Sequence, residues 1–460
     1  MSAAQSVGSV LIVGGGIAGI SCALRLAEQG IAVTLLETRK KLGGRATSFQ
    51  DVRSGRWLDN CQHVVLGCCT NYLDLLSRLG AADKVTWYHE QYWIEEGGRT
   101  SIVRRGMLPA PAHFTGSMLG ASFLSLAEKL QIARACSKIM RTNRAEWDNR
   151  TFAAFLASCG QSERVIRRFW FPVVVSACNM DIGKVSACAA LHVFQEGFLA
   201  AKTAADIGVP RVPLLELYDA AENLITSKRG VIHHGAGVES LDERGATTTD
   251  GRRFDADAVV CAVPVERVNR IVAEDIRARD SRFAPLDKFT HSPILGVHLT
   301  FDRPIMGDLP HAVLVDRPTQ WLFRKDAEGK SIHAVISAAD DWLPLSEEEV
   351  GARVHADIRA CLPAAQGPNP PALVSVRAVK EKLATFAPLP GLNASRPKAI
   401  GESRVILAGD YTDTGWPATM EGAARSGYAA AAAVLGSEPS RMVLPPLAVA
   451  PLARLCGLRA

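Results

Sequence analysis

The chain has 460 residues, 48% of them apolar and 22% charged, with a formal net charge of +5. That much apolar content over that length buries a large core, which excludes a disordered chain, a collagen and a coiled-coil rod. A charge of +5 with no concentrated Lys/Arg stripe excludes a nucleic-acid footprint and leaves anionic lipid as a weak electrostatic partner.

Residues 10–13 predict a short apolar strand, followed at once by Gly14-Gly15-Gly16-Ile17-Ala18-Gly19. Residues 17–29 predict a helix with Ile17, Ile20, Leu24 and Ala27 on one face, stopped by Gly30. Residues 31–36 predict a second strand closing on Glu37. Mixed sequence runs to about residue 100, and helices are then expected at 124–140, 162–169 and 213–226. One strand is expected over 230–238, then a hairpin from 247–249 through Asp250-Gly251 into 256–262. Further strands are expected at 294–301, 321–323, 332–337 and 374–379, with a capping box, Ser346 to Glu349, opening a helix. The chain closes with a strand at 405–408, Gly409-Asp410, and a helix over 420–435.

Two segments bear on membranes. Residues 106–127 lack charge but contain Pro109, Pro111 and His113, and the tail 442–460 is broken by Pro445, Pro446 and Pro451. Neither can span a bilayer, yet both have the apolar-plus-basic character of an interfacial anchor. The alternatives are a core segment and a loose terminus. Eleven cysteines, an odd number with no C-x-x-C, sit mostly in apolar stretches. They predict reduced thiols, no disulfide framework and no metal site, and with no export signal at the N-terminus they place the protein in the cytoplasm.

In Gly14-x-Gly16-x-x-Gly19 the glycines let the backbone turn and approach a pyrophosphate, which the first N–H groups of the helix, at Ile17 and Ala18, then face. Glu37, 18 residues past Gly19, is placed to accept from ribose hydroxyls. The choice of FAD over NAD rests on two further segments. Gly43-Gly44-Arg45 can fold over the dinucleotide with Arg45 as a fork for phosphate or flavin carbonyls. At the other end Gly409-Asp410 and the helix entered at Met420 suit a flavin whose N1–C2=O edge becomes anionic on reduction. A plain Gly-rich turn, a solvated Arg45 and an ordinary Asp410 are the competing readings of these residues taken singly.

GGGIAG, Glu37, GGRA, Cys261-Ala262-Val263-Pro264 and AGDYTDTGWPATMEGA together resemble the flavin amine oxidase and phytoene desaturase superfamily, over essentially the whole chain. Asp59-Asn60-Cys61-Gln62-His63, Leu108-Pro109-Ala110-Pro111, the run from Lys380 to Phe386 and the loop from Gly415 to Gly422 are similar to the hydroxysqualene dehydroxylases within it. Cys61 stands where that pattern has glycine, and Leu383 where it has arginine.

The resemblance implies an α/β fold. It has a discontinuous FAD-binding Rossmann-type domain (1–100, 216–285, 396–440), an α+β substrate domain (286–395), a helical, membrane-contacting region (101–215) and an apolar basic tail (441–460). It adds Val238 and Pro417 to the cofactor contacts. The implied activity is reduction of hydroxysqualene, a C30 allylic alcohol, to squalene, with hydride from reduced flavin and one acid for the departing oxygen. His63 and Asp59 are the candidate acids, with support of the cofactor loop the favoured competing reading of each, and Asp413 is a weaker third. Residues 108–140 and 169–199 are expected to line the hydrocarbon tunnel, or else to be core helices. The alternatives are a carotenoid or apocarotenoid desaturase, an amine oxidase, and a non-enzymatic escort for prenylated proteins. Membrane attachment at the cytoplasmic face is expected, and the electron donor and oligomeric state stay open.

Overall fold

The computed structural model describes residues 7–459. A five-stranded sheet takes the order Val231–His234, Ala32–Glu37, Ser9–Val13, Ala258–Cys261, Val405–Leu407, and every neighbouring pair is parallel. Parallel strands covered on both faces read as near-continuous apolar runs, as VLIV and VIL do here. The helices Ile17–Glu28 and Met420–Val434 cover one face. They meet closely at Gly427, where a Cβ would stand 2.2 Å from the Ala18 carbonyl oxygen.

A small antiparallel sheet, Val238–Leu241, Gly245–Thr248 and Arg253–Asp255, packs on the other face. The strand expected over 230–238 is therefore two strands in two sheets, because residues 235–237, Gly-Ala-Gly, turn the chain between them. The Asp250-Gly251 turn is present, but it joins Gly245–Thr248 to Arg253–Asp255. Ala258–Cys261 leaves the hairpin and pairs with Ser9–Val13.

A seven-stranded sheet runs Leu373–Phe386, His291–Phe301, Ser331–Ser337, Trp321–Arg324, His311–Leu314, Glu90–Ile94, Thr100–Arg104. The helix Glu347–Cys361, opened by the expected Ser346/Glu349 capping box, buries Val350, Val354 and Ile358 against one face. The last two strands form a hairpin, so a boundary at residue 100 cuts a continuous element that belongs with the 286–395 sheet. The strand expected over 374–379 extends to Phe386, with shifts of register that bend it along His291–Phe301.

Residues 108–140 and 169–199 supply core helices, the alternative to a tunnel lining. With Phe152 and Phe155 they form one packed core around Phe123 and Trp170. The helix expected over 162–169 runs on to Cys178 through a π-helical turn, Ile166–Trp170, placed just before Pro172, which has no N–H to give. The helix expected from 213 starts as a 3₁₀ turn, Leu214–Leu217, and becomes α-helical at Ala220–Thr226. The tail is no loose end: Met442, Val449, Ala453 and Leu458 are buried, and the Ala450 N–H donates to the Ala200 carbonyl at 2.8 Å. All eleven cysteines are unpaired, and no helix among the described residues is long and apolar enough to cross a membrane.

Candidate cofactor and active site

The first helix begins at Ile17 with Gly16 as N-cap, no side-chain cap and no acid in its first turn, so among the described residues no anion caps its leading N–H groups. Gly14 takes φ +111°, and a Cβ at Gly19 would lie 1.9 Å from the Gly14 carbonyl oxygen. The loop carrying Gly43 and Gly44 closes beside them: the Gly43 N–H donates to Gly15 O at 2.9 Å, and a Cβ on Gly44 would meet Gly16 at 3.0 Å. Glu37 ends its strand with both carboxylate oxygens on backbone donors, Gly15 N at 2.7 Å and Arg39 N at 2.7 Å. Val238 opens its strand two residues after Ala236, whose N–H donates to Glu37 O.

Arg45 and Asp410, each expected to reach toward the cofactor, are paired with each other at 2.7 Å, and Arg45 also donates to Ala384 O. The pair ties the Gly43–Gly44 loop to the end of the strand Val405–Leu407. Gly409 N donates to Ser426 Oγ at 2.8 Å, which anchors that strand end to the last long helix. Thr419 caps this helix by accepting from Gly422 N, with Pro417 buried beside it and Met420 half-buried at its start. Asp413 is exposed.

Between these two ends lies the turn from Asp59 to His63. Asp59 is a hub. Its Oδ1 accepts from Ser48 Oγ at 2.7 Å and from Leu214 N at 3.1 Å, its Oδ2 from Lys325 Nζ at 3.0 Å, and its carbonyl from His298 Nε2 at 2.9 Å. Burial alone would raise its pKa, but the Lys325 ammonium and these donors hold the carboxyl below the ordinary range, so it is ionised at neutral pH. His63 donates from Nδ1 to Cys61 O at 3.0 Å, which leaves Nε2 with its lone pair. Burial lowers the His63 pKa, only partly offset by the Cys61 carbonyl and Asp59, so the ring is neutral. The Cys61 thiol is pushed up to about 12 by burial and is no nucleophile.

Sequence reasoning brought together Gly14, Gly16, Gly19, Glu37, Gly43, Gly44 and Arg45 at one end and Gly409, Asp410, Pro417 and Met420 at the other. It missed Lys325 and His298, which reach Asp59 only because the seven-stranded sheet lays its open face against this turn. A cavity of about 560 Å³ opens beside Asp59, His298 and Lys325. Its walls are charged at Arg53, Arg56 and Arg377 and apolar at Trp57, Tyr88 and Val212, and none of its lining residues comes from 108–140 or 169–199.

A dinucleotide fits what the backbone leaves open. The uncapped helix start suits a pyrophosphate, and Gly44, at positive φ, lies so close to Gly16 that a side chain there would crowd the loop in front of it. The sequence profile of the flavin containing amine oxidoreductases matches residues 17–435. The 15-cis-phytoene desaturase of Synechococcus elongatus is 26% identical over 459 residues, covering 93% of this chain and 96% of that one. The zeta-carotene desaturase of Solanum lycopersicum is 27% identical over 492 residues, covering 95% and 82%. Among solved structures, a putrescine oxidase double mutant superimposes with TM-score 0.70 at 17% identity, over 93% of this chain and 99% of its own. Cyclohexylamine oxidase from Brevibacterium oxydans gives 0.68 at 20%, over 94% and 99%. With the profile spanning nearly the whole fold, the chain belongs to the flavin containing amine oxidoreductases and is an FAD-dependent oxidoreductase.

Proposed function

We propose that the protein desaturates a long linear isoprenoid, removing a hydride and a proton from adjacent carbons. End-to-end similarity to phytoene and zeta-carotene desaturases carries this reading. FAD, when bound, supplies the hydride acceptor. The chain's own residues do the rest. The glycine cradle and Glu37 bind the dinucleotide, the Arg45–Asp410 pair joins the two halves of its site, and His63 Nε2 offers a lone pair for the proton.

Reduction of hydroxysqualene is the second reading, favoured by the four motif stretches, from Asp59 to Gly422, that resemble the dehydroxylases. It asks for a protonated acid where Asp59 is ionised and His63 neutral. Phytoene with oxidised holoenzyme, and hydroxysqualene with dithionite-reduced holoenzyme, separate the two by mass and ultraviolet spectrum. Conjugated products from phytoene are expected. Squalene from hydroxysqualene with phytoene untouched would overturn desaturation.

Such a substrate arrives from a bilayer, and the same reading places the protein at the cytoplasmic face of the membrane. Ile102, Met107, Leu108, Leu119, Leu126 and Leu130 are exposed on neighbouring elements, Met107 to 96%. Lys129 and Arg134 stand among them on the helix Leu126–Arg141, and this patch suits interfacial contact better than the docked tail. Loss of liposome co-sedimentation in Met107→Glu/Leu126→Glu is expected; undiminished binding would exclude the patch.

A further inference from the structure

We propose that Lys325 is a positioning residue for His63, holding the turn that carries the imidazole and shielding it from the Asp59 carboxylate. Lys325 follows the strand Trp321–Arg324 and faces the 560 Å³ cavity. Its Nζ donates to Asp59 Oδ2 at 3.0 Å and to Gln62 Oε1 at 3.1 Å. Gln62 Nε2 then donates to His63 O at 3.1 Å, and His63 Nδ1 donates to Cys61 O at 3.0 Å. One ammonium thus begins a continuous run of hydrogen bonds ending in the ring whose free Nε2 the chemistry uses. Fixing the amide of Gln62 fixes the carbonyl of His63, and the Nδ1 bond fixes the tautomer.

Asp59 does not depend on Lys325 for its place, since Ser48, Leu214 and His298 hold it independently. Removing the lysine therefore leaves a carboxylate in position with its cation gone. The charged or titratable groups around His63 are Asp59 and Cys61 on its own turn, Arg45 from the glycine loop, Glu381 from the strand Leu373–Phe386, Lys325, and His333 from the strand Ser331–Ser337. Of these, Lys325 alone bonds both Asp59 and the turn that carries the ring.

The proposal rests on the functional reading only for the use made of His63, and its test needs no substrate. In ¹⁵N-histidine-labelled holoenzyme, with the His63 signal assigned through His63→Gln, the imidazole is titrated by NMR. In Lys325→Met the uncompensated Asp59 charge should raise the midpoint by about one pH unit. Lys325→Met/Asp59→Asn should return it close to the wild-type value. An unmoved midpoint in Lys325→Met, or the same rise in the double variant, overturns the proposal. Should Lys325→Met fail to fold, Asp59→Asn alone must lower the midpoint, and a rise there overturns it equally. Failure of desaturation in the wild type would leave this titration unaffected, so the two claims fail separately.

Discussion

Glu421 offers the sharpest test of how this fold is held together. It sits in the first turn of the last long helix, fully buried, and its carboxylate reaches across to the start of the helix Thr70–Arg78. That helix has Cys69 as N-cap and no side-chain cap of its own. Glu421 supplies the missing acceptor: Asn71 N at 2.9 Å, Tyr72 N at 2.8 Å and Asn71 Nδ2 at 2.9 Å, with Arg425 Nη1 at 3.5 Å. Glu421→Ala strands two buried backbone N–H groups, at about 1–3 kcal/mol for each unsatisfied group, while Asn71 Nδ2 keeps Thr70 Oγ1 and Leu444 O as acceptors. Allowing for local relaxation, about 3–5 kcal/mol is expected, in the tail of point-mutant effects. Unfolding entropy near 2.1 cal/mol/K per residue makes 1 kcal/mol worth about 1 °C in a chain this long. Differential scanning calorimetry on holoenzyme should therefore show Tm lower by about 3–5 °C, against no change in the exposed control Glu348→Ala. A fall under about 1 °C would refute the cross-helix cap.

Glu421→Gln tests the charge separately. Burial raises the Glu421 pKa against the pull of its donors, so its stabilisation is fullest below the ordinary glutamate value of 4.5 and declines as pH rises through the raised value; the gap between wild type and Gln should narrow from pH 4.5 toward neutrality in urea titrations. Gly19→Ala puts a methyl 1.9 Å from Gly14 O and should yield protein with little visible flavin absorbance after purification. Glu37→Gln loses the carboxylate that gathers Gly15 N and Arg39 N, and FAD affinity measured by flavin fluorescence should fall roughly tenfold or more. Arg282→Met strands the buried Asp280, paired at 2.6 Å, at about 3–5 kcal/mol. Although burial would raise it, Arg282 and Ser403 hold Asp280 below the ordinary carboxylate value of 3.8. The variant's deficit should thus be full at neutral pH and shrink as acid protonates Asp280.

The cofactor end was legible because its signals are local: a strand, three glycines, a helix and an acid lie within thirty residues, and each imposes its geometry on its neighbours. Residues 40–100 were opaque for the opposite reason. Their strands are two to five residues long and gain meaning only from partners far away, such as Val65–Leu66 against Ile207–Pro210. The run over 230–241 looked like one strand because nothing in sequence says that Val231–His234 pairs with Ala32–Glu37 while Val238–Leu241 starts another sheet. The helix expected over 162–169 continues to Cys178 because a π-helical turn, a form no periodicity of 3.6 announces, precedes Pro172. Lys325 carried no signal at all. It lies 266 residues from Asp59, and only sheet register brings them to 3.0 Å.

Asp59 and His63 matter most for the direction of the chemistry. Departure of an allylic hydroxyl needs a proton delivered, whereas desaturation needs one taken away. From sequence both residues are candidate acids, but whether an Asp or a His gives or takes a proton is set by its surroundings. The surroundings fit the desaturation proposed above better than the delivery of a proton. Two donors and a lysine keep Asp59 charged, and burial with a fixed Nδ1–H keeps His63 neutral with an open Nε2. A base in that state loses activity when it gains a proton. The rate of flavin reduction by substrate should therefore fall as pH drops through the His63 titration, below the ordinary histidine value of 6.5, and stay level above it. A required acid with the same titration would give the mirror image, activity only on the acid side. Rapid-mixing measurements from pH 4 to 8 distinguish the two limbs, and a rate that climbs as the medium is acidified would return Asp59 and His63 to the proton-delivering role.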